Sequence, residues 1–595
     1  MSIVVGDVVA VVGIEITLRA RESANLETHF YNGETFRGIS IREFISITHG
    51  FRDIVCLVEG EFLDERHTEG EGPSEHYIRK VKVRPVGYFE DEVFFDGIKF
   101  LPKIGDSASL LPQSRVEKIF EGRGDMSFSI GRLLKEDLPV SLPWDKLFNT
   151  HIGIFGNTGS GKSNTLAKIL TTLFDRKIDA IQATSRFIFI DFNGEYTGNQ
   201  LANENYKNVL RLRTRGAIVD RFVLRESEFW DAETLGILFQ ATANTQRPFL
   251  RRVVNGRNRF IDIEDSLLRY LRATFDQVLR SNDPSAEALE QLKHLARALT
   301  EGEELLNSLE NVGLRRPPDN TTFHYVIGPG NWRFLSDDEA FVESEFLQKL
   351  DEFDLEDIDG FDELQIRATL QLIRDVTNGS AQYDHIHPLL RRIDALRGVL
   401  AKVIRVGGEI PAEEAPITVI SLREAKQEIK KIIPILIAKH YYEEHKEDAT
   451  SPPTSTLHLV IDEAHNILSL QSSREAESWK DYRLELFEEV IKEGRKFGMF
   501  VVIASQRPSD ISPTIVSQVH NFFIHRLVND RDLALLENSI STLDTLSRSQ
   551  IPNLPKGACV VTGTTFDIPM LLQIEKLDID KEPDSRDVDL RELWN

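Results

Sequence analysis

Hydrophobic and polar positions follow two different periods along the chain. From residue 1 to about 110, short apolar runs with polar alternation are separated by Gly, Asn and Asp, which predicts short strands joined by turns. The strand-like runs are 4–13, 39–47, 53–58 and 77–86. The polar, acidic stretch 59–75 reads as an exposed loop, and Asp96-Gly97 as the tight turn of a hairpin over 94–100. This spacing predicts a small β-barrel or sandwich over 1–110, without catalytic residues and suited to docking or assembly. Residues 111–150 read as a connector.

Beyond the connector, short apolar runs alternate with segments of helical period. Over 151–225 the strand runs are 151–155, 186–190 and 220–224. A helix follows the first of them, with Leu166, Ile169, Leu170 and Leu173 on one face. Residues 226–410 are helical and charged, with helix signals near 226–243, 262–281, 285–310, 338–352, 361–377 and 386–404. They read as an inserted helical bundle. The strand–helix alternation resumes over 411–595, with strands near 417–420, 457–461, 499–504, 522–525, 558–562 and 568–572. The fold class is therefore α/β, a mainly parallel sheet covered by helices on both faces.

The first strand of this second region runs into Gly156-Asn157-Thr158-Gly159-Ser160-Gly161-Lys162-Ser163, with Asn164 opening the helix. This matches G-x-x-x-x-G-K-[ST] in the strand–loop–helix setting the motif needs. Its glycines let backbone N–H groups turn toward phosphate, and the helix N-terminus adds positive potential. Lys162 is expected on the β- and γ-phosphates and Ser163 on Mg²⁺. The motif makes ATP and Mg²⁺ the expected cofactors.

Hydrolysis needs further groups. Asp462-Glu463 ends the 457–461 strand, at the sheet edge where the phosphate loop also lies. Asp462 is expected to hold Mg²⁺ and Glu463 to orient the attacking water. Gln506 ends the next strand and is placed to sense the γ-phosphate. His465 has no Cys or His cluster around it and reads as a structural or coupling residue. Arg495 is the favoured arginine finger, supplied in cis or by a neighbouring subunit, with Arg507 as the second candidate. An ordinary cation at a helix C-terminus is the plainer reading of Arg495.

Composition narrows the partners. The 595 residues are 41% apolar and 28% charged, with a net charge of −24. Such a chain repels nucleic acid as a whole, so any contact with it has to use a local basic surface. Arg247, Arg251, Arg252, Arg257 and Arg259 cluster near the start of the insertion and are either such a surface or a solvated helix face. No apolar run approaches the ~20 residues of a membrane span. Cys56 and Cys559 lie far apart, which suggests a reducing, cytoplasmic compartment.

The segments 151–164, Asp191-x-x-Gly194-Glu195-Tyr196, 461–465, 493–498 and 505–509, taken together and in this order, resemble the HerA branch of the HerA/FtsK ATPases. The N-terminal β domain, including Leu101-Pro102-Lys103-Ile104-Gly105, is similar to that family's barrel. Asn193 departs from the histidine often found there. The resemblance implies a RecA-like core that forms a hexameric ring and moves along double-stranded DNA. It implies a nuclease partner in end resection, or a nuclease or sirtuin-like effector in anti-phage defence. It also counts Asp191 and Glu195 among the nucleotide-site residues. The competing reading is a regulatory ATPase scaffold that gates a partner enzyme, with DNA movement secondary. A substrate-phosphorylating kinase is poorer, because no small-molecule pocket is legible.

Overall fold

The computed structural model describes residues 3–21, 26–31, 33–67, 75–120, 127–217, 220–299, 302–315, 322–328, 330–353, 355, 358–408, 415–470, 477–566, 568–585 and 593–594.

The N-terminal strands close on themselves in the order Glu15–Ala20, Val4–Val12, Ser107–Leu110, Phe44–His49, Arg52–His67 and Glu75–Glu90, the last pairing back to the first. Alternation along each strand sets what the barrel holds. Ile45, Ile47, Cys56 and Val58 point into its core, whereas Phe44, Val55 and Leu57 join the core of the next domain.

Two local expectations fail here. Residues 59–67 are strand, part of a long hairpin. Three of their acidic side chains face cations across it: Glu59 pairs with Arg84 at 2.9 Å, Glu61 with Arg79 at 2.6 Å, and Asp64 with Lys80. Cross-strand charge pairing makes a polar stretch compatible with a strand. Residues 68–74 lie outside the described residues. The second failure is the turn, which falls at Asp91 and Glu92, both at positive φ, not at Asp96-Gly97.

The core is a ten-stranded sheet. Its parallel part comprises β1 (Ile152–Phe155), β2 (Ser185–Asp191), β3 (Lys207–Arg211), β4 (Ile417–Ser421), β5 (Thr456–Ile461), β6 (Met499–Ser505) and β7 (Asn521–His525). They lie in the order β7-β1-β6-β5-β2-β4-β3. Beyond β7 the sheet continues antiparallel through β8 (Ala558–Gly563), β9 (Met570–Ile574) and the short Gly131–Leu133 strand. Part of the connector thus belongs to the sheet.

Helices cover both faces, so successive strand residues are all buried but face different cores. Ile154, Phe187, Phe189 and Val502 pack on the side of α1 (Lys162–Thr184). Phe155, Ile188, Ile190 and Ile503 pack on the side of α2 (Gln427–Glu447) and α3 (Glu477–Glu493).

The insertion departs from an all-helical bundle. The Phe222–Leu224 strand leaves the core sheet and pairs in parallel with Ile404–Val406. A three-stranded antiparallel sheet, Val312–Arg315, Thr322–Gly328 and Asn331–Phe334, sits among the helices. The 285–310 helical signal is broken in two near Gly302, and the 226–243 signal also gives two short helices. The arginine cluster occupies a further helix, Gln246–Arg259.

Candidate nucleotide site

Parallel pairing aligns the ends of β1, β6, β5 and β2. Phe155 pairs with Ser505, Ile461 with Ile503, and Ile190 with Ile461. The next residue along each strand carries the chemistry: Gly156, Gln506, Asp462 and Asp191. All four lie at the carboxyl edge of the sheet, where ligands bind in open α/β folds.

The phosphate loop bends on glycine. Gly159 and Gly161 have φ of +74° and +113°. At Gly161 a Cβ would also lie 2.9 Å from the Gly557 Cα, so any side chain there collides with backbone. Behind the loop His525 is fully buried, and its Nε2 bonds the Thr165 hydroxyl at 2.9 Å. Burial lowers the His525 pKa to about 4, so it supports the loop as a neutral ring.

Lys162 is buried. Its Nζ lies 3.3 Å from Glu463 Oε1 and 3.7 Å from Asp462 Oδ1. Burial disfavours its charge, but the two carboxylates outweigh burial and raise its pKa. Asp462 is buried, and burial pushes its pKa up against the pull of Lys162. It accepts hydrogen bonds from the Glu463 N–H at 2.9 Å and the Tyr196 hydroxyl at 3.3 Å. Glu463 has φ of +51°, a strained backbone for a non-glycine residue. Burial would raise its pKa, but His465, 3.2 Å from Oε2, and Lys162 hold it low, so it stays an anionic acceptor.

Asp191 and Glu195 behave differently from each other. Asp191 is buried and accepts the backbone N–H groups of Asn193, Gly194, Glu195 and Tyr196 at 2.7–3.2 Å. Its oxygens are engaged in folding the 192–196 loop, so it positions that loop. Glu195 lies beside the Ser163 hydroxyl. Its Oε1 accepts from Asn193 Nδ2 at 3.3 Å, and its buried Oε2 has no hydrogen-bond partner among the described residues. Burial, then Asp462, raises its pKa to about 7.

The hydroxyl of Ser163 with the carboxyls of Asp462 and Glu195 is an all-oxygen set. A hard cation such as Mg²⁺ takes oxygen ligands of this kind, and the unpartnered Glu195 oxygen fits that use. Thr158 in the loop donates its hydroxyl to Gln506 Oε1, so the expected sensor already touches the phosphate loop. Asn164 is turned to the C-terminal segment: its Nδ2 donates to the Glu575 carbonyl at 3.1 Å, and its Oδ1 accepts from the Leu577 N–H at 3.4 Å.

Arg495 stands apart from these residues. It lies in the Gly494–Phe497 turn that precedes β6, is exposed, and has Nη1 3.5 Å from His520 Nε2. That is the amino edge of the sheet, roughly 20 Å from the loop at ~3.3 Å per strand residue. It cannot serve its own phosphate loop. Arg507 is exposed at the carboxyl edge, its Nη1 3.9 Å from Asp510. His525, Thr165 and Gly557 carry no local motif and are not legible in the sequence.

Residues 128–327 match the family model described as the central domain of helicase HerA. A probable DNA double-strand break repair helicase HerA of Methanocaldococcus jannaschii is 24% identical over 580 residues, covering 93% of this chain and 94% of that protein. A probable helicase of the same organism is 22% identical over 575 residues, covering 93% and 89%. The DNA double-strand break repair helicase HerA of Sulfurisphaera tokodaii is 22% identical over 483 residues, covering 80% and 74%. Among solved structures, VirB4 of Thermoanaerobacter pseudethanolicus is 13% identical, covers 77% of this chain and 99% of that one, and has a TM-score of 0.41.

Proposed function

We propose that this chain, which is similar to HerA helicases over most of its length, is an ATP-hydrolysing ring motor of the HerA type that moves on double-stranded DNA and serves a nuclease or other effector. The observation that carries the reading is the Lys162–Asp462–Glu463 contact. It joins the phosphate loop to the strand-end acids, separated by 300 positions in the chain, in one buried site.

In this reading, backbone N–H groups of 156–162 and the Lys162 ammonium bind the phosphates. Ser163, Asp462 and Glu195 would hold Mg²⁺, which would supply positive charge against the phosphates. Glu463, held anionic and oriented by His465, accepts the proton of the attacking water. Gln506 reports on the γ-phosphate through its bond to Thr158. A homo-hexamer supplies Arg495 from the adjacent subunit, since no subunit can deliver it to its own loop.

Contact with DNA falls to local basic surface. Arg252 pairs with Asp375 at 2.8 Å, and Arg257 is buried against Glu226 and Glu363, so both maintain the insertion. Arg251 and Arg259 are exposed and remain available for phosphate.

The test is ATPase rate with and without linear duplex DNA, beside Lys162→Ala. Turnover should be stimulated by duplex, lost in Lys162→Ala, and progressively less stimulated as salt rises, because DNA binding releases counterions. Arg251→Ala with Arg259→Ala should reduce the stimulation. Turnover indifferent to DNA and stimulated only by a partner protein would favour the gating scaffold, a reading that the net charge of −24 supports.

A further inference from the structure

The insertion contains a cavity of about 310 Å³ between the Gln246–Arg259, Ser266–Leu279 and Gly360–Thr377 helices. Four arginines line it, Arg257, Arg269, Arg367 and Arg374, and no carboxylate does. In a chain of net charge −24 this is a marked local reversal.

The arginines divide into two pairs. Arg257 and Arg367 are buried and share Glu363, at 3.3 and 2.6 Å. Among the described residues, neither Arg269 nor Arg374 pairs with a carboxylate. Arg374 hydrogen-bonds the Tyr270 hydroxyl, and both guanidinium groups are carried on exposed residues. The walls between them are apolar and aromatic, with Val253, Phe260, Ile263 and Ala273 beside Tyr270.

Gly256 gives a second, independent sign. It stands inside a helix at negative φ, where glycine costs about 1 kcal/mol relative to alanine. Nothing crowds it: an added Cβ would meet only the Gln371 Oε1, at 3.9 Å. The missing side chain therefore relieves no clash inside the protein. It keeps open the cavity that Gly256 lines.

We propose that this cavity binds a small phosphate-bearing ligand with a flat, largely apolar body, the class of nucleoside monophosphates. The volume lies in the range of small-molecule sites, which combine apolar walls with a few convergent polar groups. A phosphomonoester carries up to two negative charges near neutral pH, which matches the two arginines lacking a carboxylate. Guanidinium groups grip phosphate oxygens two at a time and also stack on rings. A DNA backbone would meet the same charges but has no apolar body to fill the cavity. The site lies in the insertion and does not depend on the ATPase reading.

The experiment uses the full-length Lys162→Ala protein, so that the phosphate loop does not dominate binding. The probe is AMP carrying a fluorescent ribose label, competed by unlabelled AMP, adenosine, inorganic phosphate and a short DNA duplex. AMP should displace the probe at least tenfold better than adenosine or phosphate alone. Arg269→Ala with Arg374→Ala should weaken binding tenfold or more. Gly256→Leu, which adds a helix-compatible side chain to the open space, should abolish it while the far-UV spectrum and ATPase of otherwise wild-type protein persist. Probe binding that is absent, or unchanged in both variants, would overturn the proposal. Displacement by duplex as effective as by AMP would overturn it too, and make the cavity part of a nucleic-acid surface.

Discussion

The Tyr196 hydroxyl donates to Asp462 Oδ2 across 3.3 Å, linking the loop after β2 to the end of β5. Tyr196 is fully buried, and Asp191 fixes the loop that carries it by accepting four backbone N–H groups. Asp462 thus receives its orientation from a residue that touches neither nucleotide nor metal in the proposed mechanism. Tyr196→Phe keeps the ring and removes the donor. Leaving a buried acceptor unpaired costs about 1–3 kcal/mol, so ATPase should fall about tenfold, and the Mg²⁺ concentration for half-maximal rate should rise. A variant with unaltered Mg²⁺ dependence would reduce Tyr196 to a packing residue.

The two strand-end acids should separate in their effects. Glu463→Gln keeps shape and loses the base, so ATP binding should persist while hydrolysis slows by roughly 10²-fold or more. Asp462→Asn should instead shift the Mg²⁺ dependence. Filter binding and turnover on the same preparations give both readouts. Lost binding with an unchanged rate per bound ATP in Glu463→Gln would reverse the two assignments.

Arg495, at the amino edge of the sheet, makes a prediction about assembly. Arg495→Ala should form rings that bind ATP and hydrolyse it slowly. Mixed with Lys162→Ala, it should regain part of the activity, because some interfaces then combine an intact loop with an intact arginine. Rate is followed across mixing ratios, with assembly checked by light scattering. No recovery in verified mixed rings would move the assignment to Arg507, which stands at the loop's own edge.

Two buried histidines should make the fold acid-sensitive. His151 accepts the Val501 N–H at Nδ1 (3.0 Å), with Nε2 2.8 Å from the Ile491 carbonyl, which fixes one neutral tautomer. His458 stacks on Phe187 with ring centroids 4.3 Å apart. Burial lowers their pKa values to about 4 and about 3. The unfolded chain protonates both near pH 6.5, so below that pH it binds more protons than the fold. Stability is then lost as pH falls from about 6.5 toward 4, by roughly 1 kcal/mol per pH unit for each histidine. His458→Phe retains the stack and removes one titrating group. Its urea midpoint should fall less than wild type between pH 7.5 and 5. Equal losses would show that the acid sensitivity has another source.

Local order carried much of this protein. The phosphate loop was legible because its glycine spacing, flanking strand and following helix are consecutive in the chain. Asp462 and Glu463 were legible because an apolar run ending in acids places them at a sheet edge. The tertiary structure decided what depends on distant partners. The strand character of 59–67 rests on cations across the hairpin at Lys80 and Arg84. Arg257 became structural when Glu226 and Glu363 closed on it. Asp191 acquired a loop-supporting role because the backbone that follows it folds back onto its carboxylate. His525 meets Thr165 across 360 positions, and no spacing rule reaches that far. The Gly256 cavity exists only where three helices meet. A sequence pattern records which face of an element is buried. Folding alone determines what meets it there.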